Sequence, residues 1–282
     1  MSPLSITTQD QQILQGYRFS PATPGKGSII IAPAMGITQA FYRPLATWLA
    51  EEGFTVITFD YRGMGESATQ AMRFQQHNIL DWAQYDCSAA LAEVLKAKAP
   101  EPIYWLGHSL GGQIFPLVEQ IDKVSKVITV CSGTGYWRHN APPLKNKALL
   151  FWYLIMPLAT AVYGYFPGKK LGIVGDLPKN VIRQWRRWCL HPQYCVGAEA
   201  THVRDKFTDV QVKIDSLAFS DDEMLSLRNM QDLQALFGSG TKQLTTIEPA
   251  SLGVPRIGHL GFFRKEFSHN LWPQILLPRL AL

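Results

Sequence analysis

Six short apolar runs recur along this 282-residue chain, with helical patterns between most of them. They fall at residues 28–33 (SIIIAP), 54–59 (FTVITF), 103–106, 127–130, 214–219 and 244–247. Runs of this length, rich in β-branched and aliphatic residues, read as strands buried on both faces. Strands of that kind that alternate with helices imply a mostly parallel sheet covered by helices on either side, an α/β architecture. Between the first two runs, Phe41, Leu45, Trp48 and Leu49 share one helical face before Gly53 stops it. Residues 79–98 read as a second helix, with Trp82, Leu91, Val94 and Leu95 apolar and Pro100 and Pro102 beyond its end. Residues 4–20 alternate more weakly and fit an antiparallel hairpin at the sheet edge.

The alternation stops between 134 and 211, where the sequence turns aromatic, proline-containing and helical, and resumes at Val212. The expected organisation is therefore a core in two parts, 1–133 and 212–282, with a helical cap inserted at 134–211. The formal charge of +5 is uneven: residues 134–211 hold 11 Lys/Arg against 4 Asp/Glu. No basic block interleaved with aromatics suggests nucleic-acid binding, so an anionic substrate group or anionic lipid is the expected partner of the basic segment. A solvated basic face is the plainer alternative. Residues 148–167 (ALLFWYLIMPLATAVYGYFP) carry no charge over a length that can span a bilayer. Pro157, Thr160, Gly164 and three tyrosines favour buried or substrate-facing helices instead, and leave peripheral membrane contact through the cap open. The N-terminus shows neither a basic start nor an apolar stretch, so a cytoplasmic location is expected. The four cysteines fit free thiols. Cys189, His191 and Cys195 have no second ligand cluster, so no metal is expected.

One stretch carries the chemistry. Trp105-Leu-Gly-His-Ser-Leu-Gly-Gly112 places Ser109 between a strand and a segment, 110–120, that can form a helix. Glycines at 107, 111 and 112 permit a tight strand-to-helix turn that exposes the serine hydroxyl and points helix N–H groups at a developing oxyanion. A serine needs a base, and the base an orienting acid. His259, in the turn IGHLGFF beyond the last strand, is the expected base, whereas His108 reads as packing. The acid is expected from Ser220-Asp-Asp-Glu223, just past the fifth of these runs; spacing favours Asp222 over Asp221, the rest of the run serving as charge at a helix start near Met224.

In the order Ser109, Asp222, His259, this constellation resembles the α/β-hydrolase superfamily, and within it the bacterial group called predicted α/β hydrolases. Phe59-Asp-Tyr-Arg-Gly-Met-Gly-Glu-Ser67 is similar to that superfamily's D-x-R-G-x-G-x-S loop, in which Asp60 and Arg62 are structural. The resemblance implies an α/β-hydrolase fold and no cofactor. It places the backbone N–H groups of Met35 and Leu110 as oxyanion donors, although Ala32-Pro-Ala-Met-Gly36 lacks the usual His-Gly. The expected activity is hydrolysis of a small-molecule carboxylic ester or thioester through an acyl-enzyme on Ser109. Acyl transfer, peptidase activity and a non-catalytic or membrane-associated role for the fold stay open. In the cap, Phe151, Trp152, Tyr153 and Tyr163 are candidate acyl-pocket residues. Arg183 and Arg187, with Arg186 between Trp185 and Trp188, are candidates to meet an anionic group.

Overall fold

β3 (Ser28–Ala32) is buried at every position and pairs in parallel with two neighbours, β4 (Thr55–Phe59) and β5 (Ile103–His108). Around it, the computed structural model shows one eight-stranded sheet in the order β1-β2-β4-β3-β5-β6-β7-β8. β1 (Ser2–Thr7) and β2 (Ile13–Phe19) form the expected antiparallel hairpin at one edge. β6 (Lys126–Val130), β7 (Lys213–Phe219) and β8 (Lys242–Ile247) extend the parallel part to the other. Residues 1–23, 25–96, 102–238 and 240–281 are described; the expected helix end at Lys98 and Pro100 lies outside them. Apolar side chains pack on both faces of the sheet, one cluster gathering Trp82, Trp105 and Phe115 and the other Tyr42, Tyr104 and Trp272.

The helix after β5 is shorter than the sequence suggests. It runs only from Leu110 to Gln113, and a 3₁₀ turn, Phe115–Leu117, follows. Pro116 explains the break, since it has no N–H for the carbonyl of Gly112 and its ring clashes with that turn. Between β6 and β7 the chain is helical. One continuous helix covers residues 142–163, passing through a wider π-type turn at Phe151–Ile155 before Pro157 and ending at Gly164 with φ 76°. Lys179–Leu190, Tyr194–Ala198 and Thr201–Thr208 follow. Among the described residues no helix is long and apolar enough to cross a membrane.

The 59–67 loop acts as a bolt. The Asp60 carboxylate accepts from the N–H groups of Gln39 (2.7 Å) and Glu66 (2.9 Å), tying the segment after β3 to the segment after β4. A Cβ on Gly65 would sit 2.2 Å from that carboxylate, so only glycine fits. Arg62 pairs through Nε with buried Asp86 (2.7 Å), on the helix covering residues 79–96, and through its other nitrogens with Asp10 (2.6 and 2.8 Å), in the β1–β2 turn. One guanidinium thus joins the edge hairpin, the β4 loop and a helix. Arg62→Ala should strip buried Asp86 of its guanidinium partner, leaving it the backbone N–H of residue 62 (2.8 Å), and lower the unfolding free energy in urea by about 3–5 kcal/mol. Hydrogen bonds from Arg62 hold the Asp10 carboxyl down at about 2, against an ordinary 3.8. A depressed pKa contributes stability above the ordinary value that is lost as pH falls through the folded one. The stability advantage of the native chain over Asp10→Asn should therefore shrink between 3.8 and about 2; a constant gap across that window would contradict the assignment.

Candidate active site

The turn after β5 sets the geometry. Ser109 has φ 47° and ψ −108°, a conformation that costs a non-glycine residue about 1–3 kcal/mol. Its N–H donates to the Val130 carbonyl (2.9 Å), and its carbonyl accepts from Gly112 (3.1 Å), so both sides of the turn are fixed. The flanking glycines allow the crowding: a Cβ on Gly111 would lie 2.2 Å from the Ala32 oxygen, and one on Gly107 would lie 2.5 Å from the Gly112 nitrogen. This brings Ser109 to the carboxyl ends of the parallel strands, where open α/β sheets bind ligands.

Asp222 follows β7, and His259 sits in a one-turn helix, Gly258–Gly261, after β8. His259 Nδ1 lies 2.8 Å from Asp222 Oδ2, and its Nε2 lies 3.1 Å from Ser109 Oγ. A carboxylate only accepts, so Nδ1 carries the proton and Nε2 is free to accept from the serine hydroxyl. Asp222 is fixed through Oδ1, which accepts from the N–H groups of Met224 (2.8 Å) and Leu225 (2.9 Å). The rest of the acidic run does not sit at a helix start, because the next helix begins only at Leu227. Asp221 instead accepts from the N–H groups of Ile257 (2.8 Å) and Gly258 (3.1 Å), and Glu223 from that of His259 (3.1 Å). Three consecutive carboxylates thus hold one histidine loop. Their signal was present in the sequence as an acidic run facing a Gly-His turn, but the pairing needed the two strand ends side by side.

His108 does more than pack. Its Nε2 donates to the His259 carbonyl (3.0 Å), which leaves Nδ1 as acceptor for the Tyr42 hydroxyl (2.8 Å). The same hydroxyl accepts from the Ala34 N–H (2.8 Å). Burial, with His259 close by, keeps the His108 pKa well below the ordinary imidazole value and the ring neutral. A buried chain of hydrogen bonds thereby links the loop after β3 to the backbone of His259. Met35 lies buried in that loop and Leu110 begins the helix after Ser109; among the described residues neither N–H has an acceptor. The loop also packs closely against the segment between β6 and β7, where a Cβ on Gly175 would lie 2.0 Å from the Gly36 oxygen.

A cavity of about 310 Å³ opens on Ser109 and His259. Leu144, Ala148, Phe151, Trp152 and Ile155 line it from the helix covering residues 142–163, and Trp185, Ile173 and Leu225 line it as well. Of the expected cap residues, Phe151 and Trp152 are there. Tyr153, Tyr163, Arg183 and Arg187 are not among its lining residues. Tyr153, 61% exposed, lies on the far side of the helix, Tyr163 at the end of the helix is 41% exposed, and exposed Arg187 pairs with Glu199. Arg183 is exposed as well. The helical spacing 144, 148, 151, 155 is the signal that marks the inward face. The cation in the wall is Lys147, and Asn140 presents a buried side-chain oxygen with no partner. Among the described residues, one group could offer three metal-ligand atoms within 4.8 Å: Cys131, Asp222 and His259. Asp222 and His259 are already committed to each other and to the Ser109 side, and burial pushes the Cys131 thiol well up, keeping it protonated.

The family described as serine aminopeptidase, S33, matches residues 23–174. A pimeloyl-[acyl-carrier protein] methyl ester esterase of Aliivibrio salmonicida is 34% identical over 117 residues, 40% of this chain and 40% of that protein. The uncharacterised protein YfhR of Escherichia coli K12 is 31% identical over 117 residues, 39% of this chain and 38% of its own length. The matched part therefore spans about two fifths of these curated relatives. Among solved structures, mouse alpha/beta hydrolase domain-containing protein 10 superposes with a TM-score of 0.60 at 16% identity, covering all of both chains. A soluble variant of Saccharomyces cerevisiae monoglyceride lipase superposes with a TM-score of 0.62 at 16% identity, over 88% of this chain and 86% of that one. Both likenesses concern the fold.

The Tyr42 relay has a measurable energy. Tyr42→Phe removes one hydroxyl and strands both the Ala34 N–H and the His108 Nδ1 in the core, so stability in urea should fall by about 1–3 kcal/mol. Unfolding identical to the native chain would show that the relay contributes nothing.

Proposed function

We propose that this chain, which belongs to the serine aminopeptidase S33 family of α/β hydrolases, hydrolyses small carboxylic esters or thioesters through an acyl-enzyme on Ser109. The observation that carries the reading is a serine, histidine and aspartate in hydrogen-bonded sequence at the floor of an apolar cavity. His259 Nε2 takes the Ser109 proton as Oγ attacks the acyl carbon, while Asp222 stabilises the imidazolium that forms. The N–H groups of Met35 and Leu110 receive the oxyanion, a contact worth about 10²–10³ in rate for each donor. His259 then protonates the leaving group, and water releases the acyl group by the same route in reverse. The acyl chain occupies the space between Phe151, Trp152 and Trp185, and Lys147 meets an anionic group at the wall. No cofactor enters this chemistry. The methyl ester esterase among the relatives supports ester cleavage.

The family description favours a second reading, release of an N-terminal amino acid. Its substrate carries an ammonium group that needs a carboxylate nearby. Among the described residues lining the cavity there is no Asp or Glu, and Lys147 repels a cation. An apolar, weakly basic cavity suits an acyl group or an anion better.

A fluorophosphonate probe should label the native chain and not Ser109→Ala. On p-nitrophenyl esters of graded acyl length, Ser109→Ala and Asp222→Asn should each lower kcat by roughly 10⁴-fold or more. Aminoacyl anilides should turn over more slowly than short or medium acyl esters. Faster anilide cleavage would install the peptidase reading, and equal labelling of Ser109→Ala would remove Ser109 as the nucleophile.

A further inference from the structure

The helix covering residues 142–163 is apolar on both sides. Ala148, Trp152, Met156 and Thr160, four residues apart, are buried against the body of the protein. Two residues out of phase, and so on the opposite face, Leu150, Leu154, Leu158 and Val162 are between 50% and 77% exposed. A surface helix ordinarily turns a polar face to water, and contiguous apolar exposure marks a site of interaction. We propose that this outward face docks on an anionic lipid bilayer, with the helix lying in the plane of the interface.

Charge selects the occupant. Residues 138–175 contain five Lys/Arg and no Asp or Glu. Lys145 stands at one end of the helix, and exposed Lys169 and Lys170 follow the other. Lys170 Nζ lies 4.8 Å from the Tyr163 ring, which fixes the basic turn beside the apolar face, and Leu171 and Ile173 add exposed apolar side chains to it. A helix with one face against its own protein, aliphatic residues outward and a basic rim has the make-up of an interfacial helix; basic residues draw it to anionic headgroups. Leu150 and Ile173 belong to both surfaces: each is exposed, and each lines the cavity above Ser109. The docked face thus lies at the cavity wall, where an acyl chain leaving the lipid phase enters.

The test is cosedimentation of the full chain with vesicles of phosphatidylcholine alone and with vesicles of equal parts phosphatidylcholine and phosphatidylglycerol. The expected result is binding to the mixed vesicles that weakens in high salt and exceeds binding to the neutral ones. The double variant Leu158→Glu, Val162→Glu should bind at least about tenfold more weakly. Both side chains face solvent and neither lines the cavity, so hydrolysis of a soluble p-nitrophenyl ester should be unchanged. No cosedimentation, equal binding to both vesicle types, or equal binding by the double variant would overturn the proposal. A lipid-free dimer that the double variant dissociates would overturn it too, by making the face a contact between copies. Binding is read without turnover, so a chain that docks but does not hydrolyse would defeat only the ester-hydrolase reading.

Discussion

The site depends on a single backbone constraint: a serine held at φ 47° where the central strand β5 gives way to a helix. Such a conformation persists only where its surroundings over-determine it. Here the surroundings are the neighbouring strands themselves. β3 supplies the Ala32 carbonyl against which Gly111 packs, and β6 supplies the Val130 carbonyl that takes the Ser109 N–H. The sheet positions Ser109 and also stores the strain that exposes it. Loss of register between β5 and either neighbour would release the turn before it disturbed any side chain of the site.

The remaining parts reach Ser109 from separate strand ends, and each is held by more than one contact. Asp222 is anchored by two backbone donors before it meets the imidazole. His259 is held at its ring, its N–H and its carbonyl by three different residues. Such holding keeps the three side chains within the narrow geometric tolerance that the proposed catalysis requires. The distant bolt at Arg62 belongs to the same scheme, since the loop it fixes carries Asp60, which tethers the segment after β3.

What was legible in the sequence follows a physical division. The strands from β3 to β7 could be read because β-branched runs buried on both faces leave a local signature; β8, expected to be buried likewise, is an edge strand of which only Ile247 is buried. Ser109, His259 and the acidic run could be read because turn chemistry is also local. The helix after Ser109 was overestimated, since Pro116 outweighed the apolar pattern around it. The Tyr42–His108–His259 chain was invisible, because its members lie on three elements that only the sheet order brings together. Between β6 and β7, composition pointed to aromatics and arginines, but the helical phase decides which of them face inward. Tyr153 follows Trp152 directly and points the other way, and Arg187 had a partner, Glu199, that only helix packing supplies.

The distance along the chain between Ser109 and His259, 150 residues, has a consequence in time. At ribosomal speeds of about 5–20 residues per second, the histidine emerges roughly 8–30 s after the serine. The elbow can form as soon as β3, β5 and β6 have left the ribosome, but its hydroxyl then has no base. The proposed base, His259, arrives after β8, an edge strand that among the described residues pairs only with β7 and joins without reopening the sheet. Under the proposed function, the nascent chain therefore carries a shaped but unreactive serine, and its chemistry begins only when the outermost strand is laid down.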